Sequence, residues 1–244
     1  MTEKNRPLLL LDVNGLLIYK VRPGDSKKAD MKLEKYSVIF RPYFKEFLNE
    51  IFKLYDVGIF SSTTWKNISK ILGYTFTENQ EKNLVCIWCR DRTRLDREKG
   101  GYQTLKMLND IWDNPVINAG NQYNNFNTLL CDDSTIKTRF NDPRNILIVK
   151  EYQGDMQDRY LLDILKLIKE KFERMTLEIK KDVDAAIEKF EKLNVNDLPE
   201  LTTLNVVYPD TSKYAKSNLT ERALFDLPPQ IRTKIDEAIF FTEK

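Results

Sequence analysis

Leu8-Leu9-Leu10-Leu11-Asp12-Val13-Asn14-Gly15-Leu16-Leu17 is an apolar run that stops on an acid and turns at a glycine. Four consecutive apolar residues read as a strand buried on both faces, the kind found inside a parallel sheet. Two later stretches repeat the form. Val57-Gly58-Ile59-Phe60 runs into Ser61-Ser62-Thr63-Thr64, and Thr128-Leu129-Leu130-Cys131 runs into Asp132-Asp133-Ser134. A fourth run, Ile146-Leu147-Ile148-Val149, follows soon after. Helical patterns lie between them. Pro42 is expected in the first turn of a helix carrying Phe44, Phe47, Leu48, Ile51 and Leu54 at a 3.6-residue period. Residues 65–72 predict a second helix and 104–112 a third. This alternation predicts a doubly wound parallel sheet. Ligands of such sheets sit at the carboxyl ends of the strands, where these polar clusters fall.

Composition narrows the chemistry. The 244 residues contain no histidine, which excludes Ser-His-Asp and Cys-His nucleophiles, His-based zinc sites and His general bases. Proton transfer must then rest on carboxylates, Lys, Tyr or Cys. Lys and Arg number 39 against 37 Asp and Glu, a net charge of +2 that predicts neither a nucleic-acid coat nor a membrane surface. No window approaches a membrane span, and the first strand comes too early for a signal peptide. The three cysteines, Cys86, Cys89 and Cys131, suggest a reducing, intracellular compartment, cytoplasmic or nuclear. Cys86 and Cys89 have the spacing of a metal or redox pair, but they lie in the strand-like run 84–89 and read as structural thiols.

The character of the chain changes after Gly154. No glycine or proline recurs until Pro199. Leu161, Leu165, Ile168, Phe172, Met175 and Ile179 follow one another at steps of 4, 3, 4, 3 and 4, a heptad-like seam that continues with a stutter to Leu193. As one helix, 161–193 would span about 50 Å. Either it packs on the sheet domain or it forms an arm for self-association or a partner. The expected organisation is a sheet domain over 1–154 with an insert at about 74–103, a helical segment over 155–194, and a tail over 195–244 with a short helix at 230–241.

The strand ends hold a coherent set of groups. Carboxylates at adjacent strand ends can hold a hard cation such as Mg²⁺. A hydroxyl and an ammonium can hold phosphate oxygens. A carboxylate beside both can attack phosphorus and form an aspartyl-phosphate, with no histidine needed. Asp12, Ser61, Lys106, Asp132 and Asp133 supply these groups.

The same stretches resemble the haloacid-dehalogenase (HAD) superfamily, and within it the FCP1/small-CTD-phosphatase, or NLI-interacting-factor-like, branch. The resemblance rests on Leu8 to Leu17, Arg41-Pro42-Tyr43-Phe44-Lys45-Glu46-Phe47-Leu48, Gly58 to Thr63, Lys106-Met107-Leu108 and Leu129 to Ser134. It covers about residues 7 to 152. It implies a three-layer, Rossmannoid α/β domain with a central parallel sheet, followed here by a C-terminal helical extension. It also implies Mg²⁺ as cofactor and phosphatase activity. Asp12 matches the phosphoryl-accepting aspartate and a metal ligand. Ser61, with Ser62 beside it, matches the phosphate-binding hydroxyl, and Lys106 matches the lysine that neutralises nucleophile and phosphate. Asp132 and Asp133 match the acidic pair at the cation, with Asp133 the more direct ligand. Asn14 offers its main-chain carbonyl to the metal.

Asn14 also marks a departure, because the phosphatases of this family carry there the aspartate that serves as general acid and base. Asparagine cannot exchange a proton. Three readings stay open: a slow phosphatase using another acid, a phosphate-binding pseudophosphatase, and a binding or assembly subunit acting through its C-terminal helices. Between Arg90 and Lys99 five basic residues face three acidic ones, so Arg90 and Arg92 are candidate contacts to substrate. The segment from Lys20 to Lys35 is also basic and matches a flap of the family. A phosphoprotein or protein partner is the expected ligand, ahead of nucleic acid. The asparagine-rich stretch 118–127 reads as an extended surface loop.

Overall fold

The computed structural model describes residues 6–21 and 29–192. The tail over 195–244, its expected helix at 230–241, and Arg22, Lys27 and Lys28 of the flap lie outside the described residues. In chain order the elements are β1 (Leu8–Leu11), β2 (Ile18–Val21), β3 (Met31–Lys32), β4 (Ser37–Phe40), α1 (Phe44–Leu54) and β5 (Asp56–Phe60). Then come α2 (Trp65–Thr75), α3 (Glu78–Lys82), β6 (Leu84–Trp88), β7 (Arg94–Leu95), β8 (Thr104–Leu105) and α4 (Asn109–Trp112). The last are β9 (Thr128–Asp132), α5 (Thr135–Thr138), β10 (Ile146–Ile148) and α6 (Tyr160–Lys192).

Five strands form one sheet in the order β10-β9-β1-β5-β6, every neighbouring pair parallel. Leu11 lies level with Ile59 on one side and Cys131 on the other. The next residues of all three strands therefore emerge at the same edge. Alternation of side chains explains why β1 is apolar throughout. Leu9 and Leu11, with Val57, Ile59, Leu129 and Cys131, pack under α1, α2 and α6. Leu8 and Leu10, with Phe60 and Leu130, pack under Leu108, Ile111 and Tyr123 of the α4 region. The result is a three-layer α/β domain. Each leucine of β1 is fully buried, a transfer worth roughly 1.5–3 kcal/mol per side chain.

Local structure departs from the sequence reading in four places. Pro42 precedes the first helix instead of opening it. Tyr43 takes the N-cap position with a left-handed φ of 65°, and α1 buries Phe47, Leu48 and Ile51 while Leu54 stays exposed. The helix expected over 104–112 is confined to α4, because Thr104 and Leu105 pair with Leu95 and Arg94 as a two-stranded ribbon. Lys106 therefore lies on extended chain and not on a helix. Within the stretch read as an insert, about 74–103, residues 84–88 are β6, the edge strand of the main sheet, so the excursion from the sheet begins at Cys89. The asparagine-rich stretch is compact: the Asn118 side chain is buried and bonds to Trp112 O, Tyr123 O and the Tyr123 N–H.

The flap is a small antiparallel sheet, β2-β4-β3. α6 is a single helix of 33 residues. Its first half is part of the main core through Leu161, Ile164, Ile168, Phe172 and Met175, so the seam there is covered by the chain's own domain. Leu177, further along, is 59% exposed. No helix among the described residues is long and apolar enough to cross a membrane.

Candidate active site at the carboxyl edge of the sheet

Asp12 follows β1 and is buried. Its Oδ1 accepts the Val13 N–H at 2.7 Å and lies 3.1 Å from Lys106 Nζ. Its Oδ2 is 3.8 Å from Lys137 Nζ and has no hydrogen-bond partner. Burial alone would push this carboxyl up, but Lys106 and Lys137, with the Val13 N–H, hold it below the usual carboxylate value. Asp12 is therefore ionised at neutral pH, with one oxygen uncommitted.

Lys106 is wholly buried and sits between Asp12 and Asp132, in tight contact with Asp132 Oδ2. Its backbone is tied at both ends, N–H to Lys137 O at 2.9 Å and carbonyl to the Asn141 amide at 2.7 Å. The extended segment after β8 thus delivers an ammonium beneath the sheet edge. Asp132 closes β9, and its other oxygen accepts the Ser134 N–H at 2.8 Å. Asp133 is different. Its Oδ1 has no hydrogen-bond partner, and Lys137 is 3.7 Å away. Burial, then the negative charge of Asp12, raises its carboxyl to about 6.

Carboxylate oxygens of Asp12, Asp132 and Asp133 all lie within 4.8 Å of one another. The buried Asn14 Oδ1 also lacks a partner. Oxygen-only donors, two of them carboxylates with an uncommitted atom, suit a hard divalent cation. Since both Asp132 oxygens are engaged, Asp12 and Asp133 are the better ligands. Gly15 is required beside them. Its φ is +87°, and a Cβ there would stand 2.2 Å from Asp133 Oδ2.

The other predicted site residues fall into two groups. Ser61, directly after β5, is buried at the same edge; its N–H donates to Trp88 O at 2.8 Å and its Oγ accepts the Thr63 N–H at 3.3 Å. Ser62 turns to Thr104, with 2.6 Å between the hydroxyls, and so braces the segment that leads to Lys106. Arg90 and Arg92 lie in the turn after β6, where Arg90 donates to Tyr102 O at 2.8 Å and Arg92 stands 5.6 Å from the Trp88 ring centroid. Cys86, Cys89 and Cys131 are buried free thiols, and the acidic trio is the only cluster of metal-ligating side chains among the described residues.

Lys137 was missed, although its place four residues after Asp133 on a helix capped by Ser134 was a readable signal. Arg41 stands in the family-like stretch 41–48, but nothing local pointed to its partner. Buried, it pairs with both oxygens of Asp158 at 2.9 and 3.0 Å and donates to the Leu16 and Lys150 carbonyls at 3.2 and 3.1 Å. It lies between the rings of Tyr152 and Tyr160 and binds the turn after Asp12 to the start of α6.

Comparison with known proteins identifies the family. The family described as NLI interacting factor-like phosphatase matches residues 7–180. An uncharacterised FCP1 homology domain-containing protein of Schizosaccharomyces pombe is 29% identical over 165 residues, which is 66% of this chain and 67% of that protein. Among solved structures, the fission yeast RNA polymerase II CTD phosphatase Fcp1 bound to beryllium fluoride aligns at 16% identity, with a TM-score of 0.43 over 76% of this chain and 56% of that one. A structure of Fcp1, an essential RNA polymerase II CTD phosphatase, aligns at 17% identity and a TM-score of 0.44, over 75% of this chain and 54% of that one. The chain thus spans little more than half the length of these solved relatives. With a family match that runs from the residue before β1 well into α6, the chain belongs to the NLI interacting factor-like phosphatase family, of the FCP1-like HAD type.

Proposed function

We propose that this chain is a Mg²⁺-dependent phosphohydrolase that acts on a phosphoprotein through an aspartyl-phosphate on Asp12. The carrying observation is the Asp12 carboxylate: buried, held ionised by two lysines, with Oδ2 free of any hydrogen bond. Oδ2 attacks phosphorus, the ester P–O bond breaks, and the leaving oxygen takes a proton. Water then attacks the acyl-phosphate and Asp12 is released. Lys106 keeps Asp12 from turning away by holding it against Asp132. Ser61 and Lys137 bind phosphate oxygens at the rim. A magnesium ion held by Asp12, Asp133 and the Asn14 carbonyl would neutralise phosphate charge. Phosphoprotein is favoured as the substrate class by this lysine-lined rim in a chain of net charge +2.

Asn14 favours a second reading, a phosphate-binding or assembly subunit without turnover, because its amide cannot exchange a proton. Hydrolysis of 4-nitrophenyl phosphate, with and without Mg²⁺, separates the two. Under the hydrolase reading the native protein turns over, Asp12→Ala abolishes turnover, and Asn14→Asp raises it. An inert native protein that Asn14→Asp switches on has a complete but naturally disarmed site. If both are inert, only the binding reading survives.

A further inference from the structure

The leaving oxygen needs a proton that Asn14 cannot give, and a second side chain stands at the same rim. Lys20 is on β2 of the flap, opposite Val38 of β4. Alternation along β2 sends Tyr19 the other way, against Gly154, and leaves Lys20 on the face toward the site. Its Nζ lies 2.5 Å from Thr63 Oγ1, and Thr63 in turn donates its N–H to Ser61 Oγ. The ammonium is thus held by the second residue after Ser61 and is only partly buried, whereas Lys106 is wholly buried. Among the described residues one of its three donors is used.

We propose that Lys20 is the proton donor to the leaving oxygen and the acceptor of the water proton in the second step. The inference rests on the phosphohydrolase reading above. In the first step the Asp12 Oδ2–P bond forms and the ester P–O bond breaks, while one proton passes from the Lys20 ammonium to the departing oxygen. In the second, water attacks phosphorus, the Asp12–P bond breaks, and the Lys20 amine takes one water proton. Both residues return to their starting states.

The electrostatics support this. Burial is the largest influence on Lys20 and brings its ammonium down to about 8. Asp12 on β1 opposes that shift and Lys137 on α5 adds to it. Val38 and Thr63, which face Lys20 from β4 and from the loop after β5, are uncharged. A donor in that range is mostly protonated at neutral pH yet yields its proton far more readily than an ordinary lysine.

Leaving-group dependence tests the assignment. Phenyl phosphate needs protonation of its leaving oxygen, whereas the 4-nitrophenolate of 4-nitrophenyl phosphate departs without it. Lys20→Met and Lys20→Arg should each lower kcat/KM, which reports the first step alone, by roughly 10²–10⁴-fold on phenyl phosphate and by less than ~10-fold on 4-nitrophenyl phosphate. Arginine keeps the charge and the reach to Thr63 but holds its proton at every working pH. In the native protein kcat/KM for phenyl phosphate should fall as pH rises through about 8, where the ammonium is lost, and that limb should vanish in Lys20→Arg. Adding Asn14→Asp to Lys20→Met should restore phenyl phosphate turnover. Equal losses in kcat/KM on both esters, rescue by arginine, or no loss would overturn the assignment and leave the hydrolase reading standing. A native protein inert on both esters would overturn both.

Discussion

Two clusters of buried charge touch the turn after β1, and they are built on opposite rules. Around Arg41 every group is matched: both Asp158 oxygens face the guanidinium, the Tyr160 N–H adds to Oδ1, and Nη1 meets backbone carbonyls. Around Asp12 the matching is incomplete. Asp12 Oδ2, Asn14 Oδ1 and Asp133 Oδ1 are buried with no hydrogen bond. A buried polar atom without a partner costs about 1–3 kcal/mol, so three close together mark a place that water, a cation or a ligand can complete. The first cluster holds the chain; the second is poised to hold something else.

The sharpest way to break this contrast is to neutralise one member of each. Asp12→Asn should lower turnover at least ~10⁴-fold, the scale of losing a nucleophile, yet cost less stability than Arg41→Met. Arg41→Met leaves a buried carboxylate alone and should lower unfolding free energy by about 3–5 kcal/mol in urea titrations. If Arg41→Met costs under ~1 kcal/mol, the guanidinium is not the clamp its contacts describe.

A smaller effect probes where the clusters meet. Gly15→Ala combines a φ of +87° with a 2.2 Å clash against Asp133 Oδ2. It should cost about 1–2 kcal/mol from the backbone alone and reduce any rise in Tm on adding Mg²⁺. An unchanged Mg²⁺ response would place the cation away from Asp133.

Acid provides the gentlest test. Burial alone would raise the Asp158 carboxyl, but the hydrogen bonds from Arg41 and the Tyr160 N–H bring it below its ordinary value. A depressed carboxyl adds stability that is present above the unfolded pKa of about 4 and lost as pH falls through the folded value. Stability should therefore decline below about pH 5, and Asp158→Asn should flatten that decline. An identical acid limb in the variant would remove Asp158 from the account.

Much of the site was legible because the signal is local. An apolar run that ends in Asp12, Ser61 or Asp132 is a strand followed by its own carboxyl end, and parallel strands bring such ends together. The long seam after Leu161 was legible as a helix for the same reason. Its partner was not, since a seam looks alike whether a sheet or a second helix covers it. Lys106 was recognised by type and place in the chain, but its extended backbone was missed. The β7–β8 ribbon that straightens it depends on pairing between Arg94 and Leu105, not on local preference.

The chain's own order of residues determined the strand ends, the acidic and lysine chemistry, and the exclusion of histidine mechanisms, because each is written in a few neighbouring positions. Tertiary structure alone decided that Arg41 meets Asp158 across 117 positions, that Lys137 approaches Asp12 while Lys20 reaches Thr63, and that half of α6 belongs to the core. Those outcomes depend on which faces pack once the sheet is assembled, and burial then sets the charge of every group it encloses.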